Sequence, residues 1–256
     1  MAIAPTAEPF FAAAVPDAHD GQRVCALLVQ GFTGSPASMR PWGHHLAGQG
    51  IGVAVPRLPG HGTTWQECNR TRWADWYGEV ERSFEKLAAE CDQVVVGGLS
   101  MGGSLVLQLA ADRGREVAGV MLVNPAVNTE RKDVLALPLL KHLVGSFPGI
   151  ANDIKKPGVD EHGYPRTPLK AAHSMMTAWR TVREDLPKVT QPLLMFLSAE
   201  DHVVDPSSAR IIRGTVSSRD LSEQTLADSY HVATLDNDAP ILFEESAQFI
   251  RRLTGP

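Results

Sequence analysis

The sequence predicts one α/β domain over residues 1–256, with a mostly parallel central sheet, helices on both faces and a small cap insertion at 126–176. Three observations carry that prediction. Short runs rich in Val, Leu and Ile recur along the chain, several without polar alternation, as strands buried on both faces of a parallel sheet require. Stretches with helical periodicity lie between them, and strand alternating with helix builds a parallel sheet covered on both sides. The rhythm breaks between about 126 and 176, where prolines, glycines and charges thicken.

The expected strands cover 24–29, 52–55, 94–96, 117–123 and 193–197, each too short for a free-standing helix, with LSEQTL as a later strand. The expected helices cover 37–47, 73–89, 103–111, 178–186 and 241–253. Inside the insertion, LALPLLKHLVGSF reads as an apolar helical segment interrupted by Pro138. The following KKPGVDEHGYPRTP is polar and turn-rich, and no convincing strand is expected there.

Composition excludes several classes of function. With 43% hydrophobic and 21% charged residues, the chain is neither disordered nor membrane-spanning in composition. A net charge of -5, with no basic run interleaved with aromatics, argues against nucleic acid as a partner. Cys25, Cys68 and Cys91 form no metal spacing; Cys25 and Cys91 border apolar runs and are expected as buried free thiols in a reducing compartment. The opening MAIAPTAEPFFAAAVPDAHDG has no Lys or Arg ahead of its apolar stretch and is broken by prolines, which argues against a signal peptide. The expected location is cytoplasmic, with no stable membrane insertion, metal or organic cofactor.

The strongest chemical signal is Gly98-Leu99-Ser100-Met101-Gly102, which follows the strand QVVVGG and precedes the apolar helix SLVLQLAA. A strand-to-helix reversal that sharp strains the backbone of the serine, and side chains two positions either side would collide, hence the glycines. The strain lifts the hydroxyl clear of the sheet at a helix N-terminus, whose dipole favours developing negative charge. Outside that setting the same five residues would be only a glycine-rich turn.

A serine hydroxyl is a weak nucleophile until a base takes its proton, and an acid must hold that base in the right tautomer. The chain order for this arrangement is Ser, then Asp or Glu, then His. Three carboxylates follow the strand PLLMFLS: Glu200, Asp201 and Asp205. Asp201 lies in the first turn with Val203 and Val204 behind it, Asp205 precedes Pro206 as a helix cap would, and Glu200 reads as a solvated charge. Of the nine histidines, only His231, in DSYHVATLD ahead of the final helix, follows the acid at the required place. For the oxyanion, Met101 supplies one backbone N–H, and Phe32, in Gly31-Phe32-Thr33-Gly34 after an early strand, is placed to give the other.

Together GFTGSPASMRPW, RLPGHGT, GLSMGG, AEDHVV and SYHVATLD strongly resemble the bacterial monoacylglycerol lipases and related small carboxylesterases of the α/β-hydrolase fold, in order from about Leu27 to Phe249. The resemblance implies the triad Ser100, Asp201 and His231, oxyanion donors at Phe32 and Met101, and a cap over an apolar acyl tunnel. It also implies that Glu161, in DIKKPGVDEHGYPRTP, binds the glycerol hydroxyls. Leu135, Leu139, Leu140 and Leu143 either line the tunnel or pack the cap's own core. One departure stands out: the family has histidine before the oxyanion glycine, and this chain has Gln30.

The function expected is hydrolysis of carboxylic esters through an acyl-enzyme, on monoacylglycerols or short- to medium-chain acyl esters. A thioesterase or acyltransferase would use the same triad. A non-catalytic binding protein on this scaffold would often lack a triad member. A dehalogenase would need a carboxylate at position 100.

Overall fold

In the computed structural model, which describes residues 7–255, the runs without polar alternation become the inner strands of one sheet. In chain order the strands are β1 (Phe10–Ala12), β2 (Val24–Val29), β3 (Gly52–Val55), β4 (Gln93–Leu99), β5 (Gly119–Val123), β6 (Ser146–Pro148), β7 (Arg166–Pro168), β8 (Leu193–Ser198) and β9 (Leu221–Leu226). The helices are α1 (Arg40–Gly48), α2 (Trp65–Cys68), α3 (Trp73–Glu90), α4 (Met101–Arg113), α5 (Leu137–Leu143), α6 (Leu169–Asp185), α7 (Ser207–Thr215) and α8 (Ala239–Thr254). The main sheet runs β1-β3-β2-β4-β5-β8-β9, with β1 antiparallel to β3 and every other pair parallel. This is the mostly parallel, doubly covered sheet of the α/β-hydrolase fold.

Period-two alternation divides the core. On β2, Cys25, Leu27 and Val29 face one side with Trp76 and Phe84 of α3 and Leu105 of α4. Val24, Ala26 and Leu28 face the other, with Trp42 and Leu46 of α1 and Leu242 and Ile250 of α8. Fully burying each such aliphatic side chain contributes roughly 1.5–3 kcal/mol. Both faces of β2, β3 and β5 are buried, whereas β9 closes an edge of the sheet and is largely exposed. All the parallel strands point their C-terminal ends the same way, and the loops that carry the candidate residues leave from that rim.

Several expectations need correction. Pro138 lies in the first turn of α5, after a 3-10 turn at Lys132–Ala136, so it starts the helix where its missing N–H costs nothing. The segment expected to lack strands contains β6 and β7, an antiparallel pair with Phe147 opposite Thr167. Strands of that length show no periodicity in the sequence. The helix expected over 37–47 is a 3-10 turn at Pro36–Ser38 followed by α1, and that expected from 178 begins at Leu169.

Cys25 and Cys91 are not free thiols. They form a disulfide, because β2 pairs with β4 and Cys91 lies just ahead of β4, which brings the two Cα atoms to 6.1 Å. Cys25 and Cys91 therefore give no support to a reducing compartment. Cys68 is free and buried, and burial, opposed by a hydrogen bond from Thr71, pushes its thiol up to about 12, so it stays protonated. Among the described residues no helix is long and apolar enough to cross a membrane. The first six residues of the opening segment lie outside the described residues.

Candidate active site

Ser100 stands alone between the end of β4 and the start of α4, at φ 55°, a region most side chains avoid. Such a conformation costs on the order of 1–3 kcal/mol and survives only where the surroundings over-determine it. They do so here. The Ser100 N–H donates to Val123 O at 2.9 Å, and its carbonyl accepts from Gly103 N at 3.0 Å and Ala126 N at 3.1 Å. A Cβ on Gly98 would lie 2.3 Å from the Gly102 backbone, and one on Gly102 would lie 2.1 Å from Val29 O. Glycine is therefore required at 98 and 102 by close contact with backbone.

Asp201 and His231 come from separate loops, one after β8 and one after β9, and meet at 2.8 Å between Asp201 Oδ2 and His231 Nδ1. An ionised carboxylate only accepts, so Nδ1 carries the proton of this bond and Nε2 is the ring nitrogen turned away from Asp201. Burial pushes the Asp201 carboxyl up, but the His231 bond and charge and the Val204 and Val203 N–H groups outweigh it, leaving it below its ordinary value. Both N–H groups donate to Asp201 Oδ1 at 2.8 Å. The valine pair therefore pins the acid through its backbone. Asp205 instead accepts from Ser207 N at 3.0 Å, in the first turn of α7, and from Glu130 N at 2.8 Å. Glu200 is largely exposed, 3.3 Å from His202 Nε2.

Ser100 and His231 line the same cavity, of about 560 Å³, and so does Phe32. Neither the Phe32 nor the Met101 N–H donates a hydrogen bond among the described residues, which leaves both available to a ligand. Gly31 lets this loop approach: a Cβ there would lie 3.3 Å from Ser100 Cβ. Gln30 is buried and spans the loop with an Nε2–H bond to Gly34 O at 3.2 Å, while its Oε1 has no partner. The Phe32 ring is backed by His61 and Trp76, at centroid distances of 6.1 and 5.7 Å. Burial lowers His61 to about 4, with the Arg57 charge acting the same way and the Pro59 carbonyl against it, so the ring behind the loop is neutral.

Glu161 opens onto the same cavity from the segment between β5 and β8. Its Oε1 accepts from Asn152 N at 2.9 Å, and its own N–H donates to Asn152 Oδ1 at 2.8 Å. Burial raises its pKa, with the Asn152 bond and the nearby His231 opposing. The apolar wall includes Leu137, Leu140, Met175, Met176 and Trp179. Of the four leucines singled out in the sequence, Leu140 lines the cavity, whereas Leu135, Leu139 and Leu143 are 75–81% exposed.

Two residues that the sequence did not point to hold the backbone of His231. Asn124, buried at the end of β5, donates from Nδ2 to the His231 carbonyl at 2.8 Å, and Asp153 Oδ2 accepts the His231 N–H at 3.1 Å. A polar residue at the C-terminal end of an inner strand is a signal for Asn124; Asp153 has none. Among the described residues no cluster of three His, Cys, Asp or Glu is set to hold a metal ion.

The family model described as Hydrolase_4, serine aminopeptidase S33, matches residues 21–238. The chain is 38% identical over 253 residues to the thermostable monoacylglycerol lipase of Bacillus sp. (strain H-257), covering 97% of this chain and 96% of that protein. It is 24% identical over 241 residues to a carboxylesterase of Bacillus subtilis (strain 168), covering 93% and 96%. A solved structure of a metagenome-derived lipolytic enzyme superposes with a TM-score of 0.92 at 38% identity, covering 98% of this chain and all of that one. With its elbow serine at the end of β4 and its sheet order, the chain belongs to the serine aminopeptidase S33 family of the α/β-hydrolase fold, as a serine hydrolase related to the bacterial monoacylglycerol lipases and carboxylesterases.

Proposed function

We propose that the protein hydrolyses carboxylic esters, monoacylglycerols foremost, through an acyl-enzyme on Ser100. The observation that carries this reading is the Asp201–His231 bond at a cavity that the strained Ser100 also lines. Ser100 Oγ attacks the ester carbonyl while His231 Nε2 takes its proton. The oxyanion accepts hydrogen bonds from the Phe32 and Met101 N–H groups, each worth about 2.7–4 kcal/mol to the transition state. The tetrahedral intermediate expels the alcohol, which takes the proton from His231. Water, deprotonated by the same nitrogen, then attacks the acyl-serine and releases the acid.

The segment 126–176 acts as the cap. Leu140, Met176 and Trp179 offer an apolar wall to the acyl chain, and Glu161 offers a carboxylate to the hydroxyls of the leaving glycerol. The relative at 38% identity, a monoacylglycerol lipase, supports the choice of substrate class.

The test is a ladder of monoacyl-, diacyl- and triacylglycerols beside simple esters and thioesters, run on wild type and Ser100→Ala. Monoacylglycerols should lead, and Ser100→Ala should lose all activity and all labelling by an organophosphonate while melting as wild type does. Labelling that persists in Ser100→Ala would remove the nucleophile. Faster turnover of thioesters would move the protein to that class.

A further inference from the structure

We propose that Asp153, supplied by the segment between β5 and β8, is a positioning residue that holds the loop of the base against the loop of the acid. The proposal rests on reading Ser100, Asp201 and His231 as a triad. One carboxylate serves both loops: Asp153 Oδ2 accepts the N–H of His231 at 3.1 Å and that of His202, the residue after the acid, at 3.3 Å. Its Oδ1 lies 2.8 Å from His202 Nδ1, and its backbone carbonyl accepts the Val232 N–H at 3.1 Å. The Asp153 side chain is only 10% exposed, whereas the His202 side chain that it meets is 47% exposed.

The consequence is geometric. The Asn124 amide, from the sheet, fixes the His231 carbonyl, while Asp153 fixes its N–H. The backbone of the base is thus held from two sides by two different parts of the chain. A shift of about 1 Å in a reacting group can cost about a hundredfold in rate, so losing either hold should be felt at Nε2. Asp236 reinforces the arrangement by accepting from Lys155 N, Lys156 N and Tyr230 N at 2.7–2.8 Å, which straps the Asp153 segment to the His231 loop. The neighbouring Asn152 is bonded to Glu161. The carboxylate assigned to the alcohol and the base assigned to the chemistry are therefore tied through consecutive residues, 152 and 153.

Asp153 is not a second triad acid. It touches the backbone of His231, while the ring nitrogen Nδ1 belongs to Asp201. Asparagine at 153 keeps a carbonyl oxygen for the backbone N–H groups, whereas asparagine at 201 disturbs the tautomer.

The experiment measures kcat, KM and the rate of organophosphonate labelling for full-length wild type, Asp153→Ala, Asp153→Asn, Asp201→Asn and the Asp153→Ala/Asp201→Asn double variant, on one nitrophenyl ester. Asp153→Ala should lower kcat and labelling together by about 10- to 100-fold with KM within about twofold, and Asp153→Asn should recover to within about fivefold of wild type. In the Asp201→Asn background the alanine should cost less than about threefold, because both changes act through one imidazole. Should Asp153→Ala not fold, Asp153→Ser replaces it, and its rate should fall below that of Asp153→Asn. An unchanged rate in the alanine variant, losses that simply multiply, or equal rates for serine and asparagine would overturn the role of Asp153 while Ser100 still labels. A wild type that does not label at Ser100 would overturn the triad, and Asp153 with it.

Discussion

Ser100 and Glu161 open onto one cavity, yet the sheet fixes the first and an insertion between strands fixes the second. Around Ser100 the constraints are steric and local: glycines at 98 and 102 stand where any Cβ would strike backbone. Around Glu161 they are polar and distributed, running through Asn152, Asp153 and Asp236 to the His231 loop. A site half can therefore be rigid in two ways. Steric rigidity leaves a motif in the sequence, whereas a network of side chain to backbone bonds leaves only single polar residues that look like solvated loop charges.

The sheet-built half should show the largest effects. Asp201→Asn is expected to lower kcat by roughly 10³–10⁴-fold, because an amide can present its N–H to Nδ1 and put the ring in the wrong tautomer. Asp205→Asn should leave kcat within about twofold, since that side chain only accepts from Ser207 N at the start of α7 and from Glu130 N, away from His231. Steady-state rates on one simple ester decide it, and the reverse ranking would move the acid to Asp205.

That contrast also explains what could be read in advance. Ser100 is marked by its flanking glycines, Asp201 by its place in the first turn after a strand, His231 by chain order, and Phe32 and Met101 by a glycine-rich turn and a helix start; the structure brings the loops bearing them to one rim. The alternation of strand and helix gave the parallel strands of the main sheet, most of them buried without polar alternation, but not the short antiparallel edge strand β1. The Cys25–Cys91 bond depends on β2 lying beside β4, a pairing that neither cysteine's neighbours reveal. Asp153 sat in a polar stretch among other charges, and its partners are backbone N–H groups contributed by residues 202 and 231. Nothing local marks such a residue.

The insertion should show a smaller and selective effect. With the Glu161 carboxylate accepting from the free hydroxyls of a monoacylglycerol, Glu161→Ala loses a charged hydrogen bond worth roughly 1.5–3 kcal/mol, about one to two powers of ten in kcat/KM. A nitrophenyl ester of equal chain length has no such hydroxyls and should be nearly unaffected. Equal losses on both would mean that Glu161 acts by holding Asn152 and the strap, and would make the two halves of the site one structural unit.

The smallest effect concerns stability and separates the two acids by sign. Burial raises the Glu161 pKa above its ordinary value, whereas Asp201 ends below its own. A carboxyl whose folded pKa is raised binds its proton more tightly in the folded chain. Its favourable contribution is complete below the unfolded pKa and is lost as pH rises through the folded one. Above that window the buried charge is a cost that Glu161→Gln removes, while Gln keeps an oxygen for the Asn152 N–H. The variant should therefore melt a few degrees higher than wild type near neutral pH, where ~1 kcal/mol corresponds to about 2–4 °C for a chain of this size. The gap should close as pH falls below the ordinary carboxylate range. Asp201→Asn should behave in the opposite way, melting lower than wild type at neutral pH and converging with it in acid, because stability from a depressed carboxylate is lost on protonation. Melting curves of the three proteins across that range make the comparison. A Glu161→Gln variant less stable than wild type at neutral pH would mean that its carboxylate is held by the strap more strongly than burial penalises it, and that the insertion is built for stability before it is built for substrate.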